Sequence, residues 1–386
     1  MKNSYSATDL AFENTPARYV SLDVLRGLTI ALMVLVNNPG TWGSIYAPFR
    51  HADWHGFTLT DMVFPSFLFV VGNAMSFSLR KFQNQNDVRI LKKVFKRTII
   101  IFLIGLFLNA YPFVKLTADG SLALKDFSAI RIFGVLQRIA LCYGIASLVI
   151  HYFSKKGALI FSIATLLGYW AAMYYFGDAT DPYSLEGNAA IKFDLLFISP
   201  VNLYKGEGIP FDPEGLLSTF PAVVNVIGGY FAGQFIQKNG NAKSTVIRLL
   251  YAGLGLIVLG LLWDILFPIN KKIWTSSYVL LTIGLSTVAI GFLMYAIEIV
   301  ELKRWTFFFE VFGKNPLVLF ALSGVLVKTM ALIKIQDMTL QPWIFNTFFL
   351  RVAGPKDASL LYAIFFIMVI WLVGYAMDRN KIYIKV

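Results

Sequence analysis

The sequence predicts an all-α, polytopic integral membrane protein of about ten transmembrane helices, with both termini cytoplasmic. Three observations carry that prediction. The 386-residue chain is 57% hydrophobic and 15% charged, with a mean hydropathy of +0.65, too apolar for an ordinary soluble domain. Crossing a hydrocarbon core takes about 20 apolar residues per helix, and the chain offers about ten such runs, continuous rather than alternating as a membrane β-barrel requires. Basic residues collect in alternate loops, as the positive-inside rule expects. The net charge of +12 therefore reads as topology. No nucleic-acid-binding motif accompanies it, so the expected partner is the lipid bilayer and not nucleic acid.

Residues 1–20 are polar, with Asp9, Glu13 and Pro16, and are expected to form a cytoplasmic segment ahead of one membrane domain over 21–386. They lack the charged n-region of a signal peptide, which makes the first span an uncleaved anchor. The spans are expected at about 21–38, 60–80, 97–114, 130–152, 157–176, 216–237, 245–267, 275–299, 314–333 and 358–378. Pro316 suggests a broken entry to the ninth.

The loop after the second span carries Arg80, Lys81, Arg89, Lys92, Lys93, Lys96 and Arg97 against Asp87, which places it in the cytoplasm. Lys155 and Lys156, Lys238, Lys243 and Arg248, Lys303 and Arg304, and Arg379, Lys381 and Lys385 fall on the same side. The long loop 177–216 is acidic, with Asp178, Asp181, Glu186, Asp194, Glu207, Asp212 and Glu214, and faces outward. Cys142 is the single cysteine, lies within an apolar run and reads as a packing residue, with no Cys/His pattern for a metal.

Chemistry is expected in the loop between the first two spans, NPGTWGSIYAPFRHADWHGFTLTD, which holds two of the three histidines. His51, beside Trp54, His55 and Asp61, is suited to act as base or nucleophile at neutral pH. By its position it is equally an interfacial loop residue within an aromatic belt. Other polar groups end spans on the same side. They are Asn37 and Asn38, then Arg131, Gln137 and Arg138 in RIFGVLQR, and Asp264 in LLWDILFPINKKIW. Arg131 and Arg138, seven apart on one predicted helix, share a face. Ionisable groups at membrane depth line cavities or pair with one another, so an Asp61–arginine pair is the structural alternative to a substrate site.

SLDVLRGLTIALMVLVNNPG followed by FRHADWHGFTLTDMVFPSFLFVVG resembles the heparan-α-glucosaminide N-acetyltransferase family and its bacterial relatives. RIFGVLQRIA, DPEGLLSTFPAVVNVIGGYFAG, PINKKIWTSSYV and GKNPLVLF continue the resemblance in order along nearly the whole chain. It implies an acetyl-CoA-dependent N-acetyltransferase acting on a glucosamine-type sugar across a bacterial inner membrane, with the His51 loop facing the periplasm. It also implies a homodimer. His51 matches the family's catalytic histidine, Asn37 a polar active-site position and Asp61 the acid of the DxVFP block. Trp54, His55, Arg131, Gln137, Arg138 and Asp264 are the expected substrate-binding residues, with no metal. About 20 residues precede the first span, where the family's lysosomal members carry a large luminal domain, so the expected acceptor is a small hexosamine or a surface glycan. Two other functions remain open from the sequence: a transporter for N-acetylglucosamine or a related sugar, and an O-acyltransferase acting on an envelope glycan.

Overall fold

The computed structural model describes residues 19–80, 86–117 and 120–384. The expected cytoplasmic segment therefore lies, up to residue 18, outside the described residues, as do Lys81 and Lys385. The helices are α1 (Val20–Asn37), α2 (Leu59–Arg80), α3 (Asp87–Ala110), α4 (Val135–Tyr152), α5 (Lys155–Phe176), α6 (Ala189–Phe197), α7 (Thr219–Asn239), α8 (Lys243–Asp264), α9 (Ser276–Met294), α10 (Thr306–Lys314), α11 (Pro316–Met330), α12 (Leu340–Ile344) and α13 (Pro355–Arg379). Two short antiparallel hairpins, 114–124 and 334–339, are the strands among the described residues. Among the described residues eight helices are long and apolar enough to cross a membrane, or nine when α10 and α11 count as one broken span, bent by 84°, rather than the ten expected. The break falls at Asn315–Pro316, where the proline lacks an N–H and Asn315 leaves the helical region, with φ −131° and ψ 51°. Asn315 then tethers the C-terminal segment, donating to the Ile382 carbonyl and accepting from the Ile384 amide.

Two boundaries differ from the sequence reading. The third helix starts ten residues early because Asn86 caps it, accepting from the Val88 amide, and Asp87 complements its dipole. Its first turns therefore carry Arg89, Lys92, Lys93, Lys96 and Arg97 on a helix rather than a loop. The fourth starts late, at Val135, because the Asn109 amide holds the Arg131 and Phe133 carbonyls in extended chain. Arg131 and Arg138 consequently do not share a helical face.

Packing inside the bilayer rests on small residues, since lipid is as apolar as the side chains it displaces. One of the closest crossings joins α2 to α7. A Cβ on Gly72 would lie 1.7 Å from the Val226 carbonyl oxygen, and one on Gly229 1.8 Å from that of Phe69. Phe64, Leu68, Phe69, Val223, Val226 and Tyr278 fill the core around this crossing. A groove of about 650 Å³ between α5 and α8, the two spans that bury least of their length, is lined almost wholly by apolar side chains.

The alternation of spans gathers the connections 38–58, 111–134, 177–218, 265–275 and 331–354 at one end of the bundle. Lys155, Lys156, Lys243, Arg248, Lys303 and Arg304 lie at the other. In the first group, α6 lies outside the spans, capped by Asn188, and its Asp194 accepts from the Leu216 and Leu217 amides at 3.0 and 3.1 Å. Burial raises the Asp194 carboxyl from its ordinary 3.8 to about 6, against the pull of those amides. The folded state then binds this proton more tightly than the unfolded chain, so the group favours folding below pH 4 and that contribution is lost as pH rises through about 6. Asp194→Asn keeps an acceptor for both amides. In detergent melts it is expected to raise the melting temperature at pH 7.5, with the gain disappearing at pH 4.5; an equal gain at both values contradicts this.

Candidate active site

The loop His51–Thr58 folds back on the first turn of α2, and Asp61 organises it. Asp61 Oδ2 accepts from the Ala52 and Thr58 amides, each at 3.1 Å, and from Thr58 Oγ1 at 3.0 Å, while Oδ1 meets His51 Nδ1 at 2.6 Å. The carboxylate is 1% exposed and stands at a helix N-terminus, where the backbone dipole favours negative charge. A carboxylate only accepts, so Nδ1 carries the proton and, in the neutral tautomer, the lone pair is on Nε2. Thr60 Oγ1 ties the helix start to the Pro48 carbonyl, and the Tyr278 hydroxyl reaches the Asp61 carbonyl at 2.5 Å. The imidazole is thus held in position and tautomer by a satisfied carboxylate.

His51 opens on a cavity of about 210 Å³ lined by Asn37, Trp54, Asp61, Arg131, Tyr204, Glu207, Glu214, Lys271 and Lys272 among others. Asn37, the last residue of α1, is exposed on its wall. Trp54 is anchored by its indole N–H on the Tyr183 carbonyl at 2.8 Å and packs edge-on against Phe211. Arg131 makes a two-point contact with Asp212, at 2.8 and 2.6 Å, and reaches Glu214 at 2.5 Å, with its guanidinium 4.6 Å from the centre of the Tyr204 ring. Burial opposes the Arg131 charge, but the two carboxylates outweigh it and hold its pKa above the ordinary value. For Glu214 burial pushes upward, and Arg131, Arg138 and Lys271 prevail to hold it below the usual carboxylate range. Asp61 therefore pairs with His51 rather than with an arginine, and the arginine finds its carboxylates in the 177–218 segment.

Four of the expected substrate-binding residues stand away from the cavity wall. His55 faces the Asn270 amide at 3.3 Å, and burial lowers its pKa. Asp264 accepts from the Ile269 amide at 2.5 Å and shapes the Pro268–Asn270 turn. Gln137 is buried against Gly105 and Gly134. Arg138 is wholly buried, donating to the Gly215 carbonyl and Ser218 hydroxyl and lying over Trp274. His55, Asp264 and Arg138 support the shell that carries Glu214, Lys271 and the loop itself.

Lys271, Lys272, Tyr204, Glu207 and Glu214 were not singled out by sequence reasoning. Their signals were present, two lysines inside PINKKIW and the acids of loop 177–216, but nothing local says that these segments close over His51. Lys272 spans the rim, at 2.6 Å from Glu207 and 2.7 Å from the Asp53 carbonyl. Lys271 lies 3.2 and 3.3 Å from the two ring nitrogens of His51 and 4.0 Å from Asp61.

Bundle and cavity together define a polytopic membrane protein with a carboxylate-held histidine at one membrane face. The chain belongs to the heparan-alpha-glucosaminide N-acetyltransferase catalytic family, whose model matches residues 18–262. Human and mouse heparan-alpha-glucosaminide N-acetyltransferase are each 26% identical to it, over 362 and 364 residues, covering 79% of this chain. The chain spans about half the length of these curated relatives, 52% and 53% respectively.

Proposed function

We propose that the protein is a transmembrane N-acetyltransferase. It moves an acetyl group from acetyl-CoA, entering at the basic, cytoplasmic end of the bundle, to the amine of a glucosamine-type sugar in the His51 cavity at the outer face. The observation that carries the reading is the His51–Asp61 contact at 2.6 Å on a cavity wall, which in the neutral imidazole puts the proton on Nδ1 and the lone pair on Nε2. Family membership supports the acetyl transfer, and the printed names of the human and mouse relatives support the amino-sugar acceptor.

The interior suits a donor that threads the bundle. Between the cavity and the basic end lie buried side-chain atoms without a hydrogen-bond partner among the described residues: Asn73 Nδ2, Thr98 Oγ1, Ser147 Oγ and Gln234 Oε1. Groups of this kind are costly at membrane depth unless they serve a polar ligand, and the amides of a pantetheine arm are such a ligand. Lys and Arg at the basic end suit its phosphates.

The chemistry then balances simply. The sugar amine attacks the thioester carbonyl carbon, forming the C–N bond as the C–S bond breaks, and the amine proton passes to His51 Nε2 and on to the leaving thiolate. If His51 takes the acetyl group first, the same lone pair serves. Asn37, on the cavity wall, orients the ring or donates to the carbonyl oxygen. Detergent-solubilised protein with radiolabelled acetyl-CoA is expected to label glucosamine and not glucose. Label on the hydroxyl sugar points instead to O-acyl transfer. No label on either, with saturable N-acetylglucosamine uptake in vesicles, overturns the reading in favour of transport.

A further inference from the structure

We propose that Lys271 is a catalytic residue of this site, its ammonium receiving the negative charge that develops on the acetyl carbonyl oxygen. This rests on the acetyl-transfer reading and assigns a group that the His51–Asp61 pair does not supply. That pair removes a proton from the nucleophile but offers nothing positive to the oxygen on which charge collects, and such stabilisation is often the largest single contribution to catalysis.

Three cations line the cavity among the described residues: Arg131, Lys271 and Lys272. Two are engaged. Arg131 is held by Asp212 and Glu214, and Lys272 by Glu207 and the Asp53 carbonyl. Lys271 has no carboxylate within hydrogen-bond distance, Asp61 standing off at 4.0 Å. Its near-equal distances of 3.2 and 3.3 Å to Nδ1 and Nε2 matter. A donor on the in-plane lone pair of Nε2 stands far from Nδ1. Equal distances place Nζ beside the edge between the two nitrogens or over the ring face. The Nε2 lone pair therefore stays open to the amine, with an ammonium alongside.

An acetyl carbon approached by a nucleophile in contact with Nε2 brings its oxygen within reach of Nζ. The backbone of Lys271 is fixed from behind. The Trp274 amide donates to the Lys271 carbonyl, and the Asn270 side chain accepts from the Lys272 and Ile273 amides, setting the turn that presents both lysines. Burial lowers the Lys271 pKa while Asp61 and Glu214 hold it up, which suits an ammonium that gives a strong hydrogen bond in a partly dry site.

Two measurements test this. Lys271→Met is expected to lower kcat by about 10²- to 10³-fold, with KM for acetyl-CoA and glucosamine within about threefold of wild type. Lys271→Arg is expected to recover part of the loss. The second measurement needs no turnover. A phosphonate analogue of acetyl-CoA, anionic and tetrahedral where the thioester is planar, is expected to bind wild type more tightly than a neutral thioether analogue, and Lys271→Met to erase that margin while leaving thioether affinity unchanged. Full kcat in Lys271→Met, or equal loss of both affinities, overturns the role. Absence of transfer by wild type with a preserved, Lys271-dependent phosphonate margin removes the acetyl-transfer reading while leaving Lys271 as the anion-facing group.

Discussion

Asp61→Asn is expected to lower acetyl transfer by about 10³- to 10⁴-fold, close to the loss in His51→Ala, although the substitution changes no shape. The reason is the crowd of donors on one side of the carboxylate. Oδ2 accepts from the Ala52 amide, the Thr58 amide and the Thr58 hydroxyl, so an asparagine must turn its oxygen that way and its NH₂ toward His51. Nδ1 then becomes the acceptor and the proton moves to Nε2, where the lone pair is needed. The base is present but in the wrong tautomer. Nitrogen NMR of labelled histidine is expected to show the exchange directly, with Nε2 bare in wild type and protonated in the variant. A fully active Asp61→Asn protein contradicts the assigned tautomer.

The second large effect concerns folding. Gly229→Leu is expected to leave no folded protein, because the new Cβ falls 1.8 Å from the Phe69 carbonyl oxygen of α2, and a helix backbone cannot step aside as a side chain can. Overpacking costs about 1–3 kcal/mol where neighbours can shift, and this contact has no such neighbour. Gly255, whose Cβ position faces open space on α8, is the control. Gly255→Leu is expected to elute from size exclusion as wild type does, while Gly229→Leu appears in the void volume. Two equal profiles remove the claim that the α2–α7 crossing is set by glycine.

The membrane class and the break at Pro316 were legible in the sequence because each follows from local composition, apolar runs of helical length or a missing N–H, whereas the count of about ten spans was not, since eight or nine described helices are long and apolar enough. The candidate site was legible in part for the same reason. His51 and Asp61 sit ten residues apart around one loop, and a loop closing on a helix start brings such residues together. The companions were not legible. Lys271 and Glu214 reach the cavity from connections more than 150 residues away in sequence, and only the stacking of helix ends decides which loops meet. Gln137, Arg138 and Asp264 were drawn into the expected site by their charge or polarity near a span end. Arg138 instead donates to the Gly215 carbonyl and Ser218 hydroxyl and Asp264 accepts from the Ile269 amide, so their polarity serves architecture, while the Gln137 amide nitrogen is buried with no partner among the described residues. Arg131 lines the cavity, yet its hydrogen-bonding capacity is spent on Asp212 and Glu214, which makes it a strut for the acidic wall.

The central claim, that His51 joins a donor from one side of the membrane to an acceptor on the other, meets its most direct test in sealed proteoliposomes. Radiolabelled acetyl-CoA is enclosed within and glucosamine supplied outside, with His51→Ala protein reconstituted in parallel. The account predicts labelled N-acetylglucosamine in the external medium with wild type and background label with the variant. External product formed equally by both proteins, or product formed only when donor and acceptor share a compartment, contradicts it.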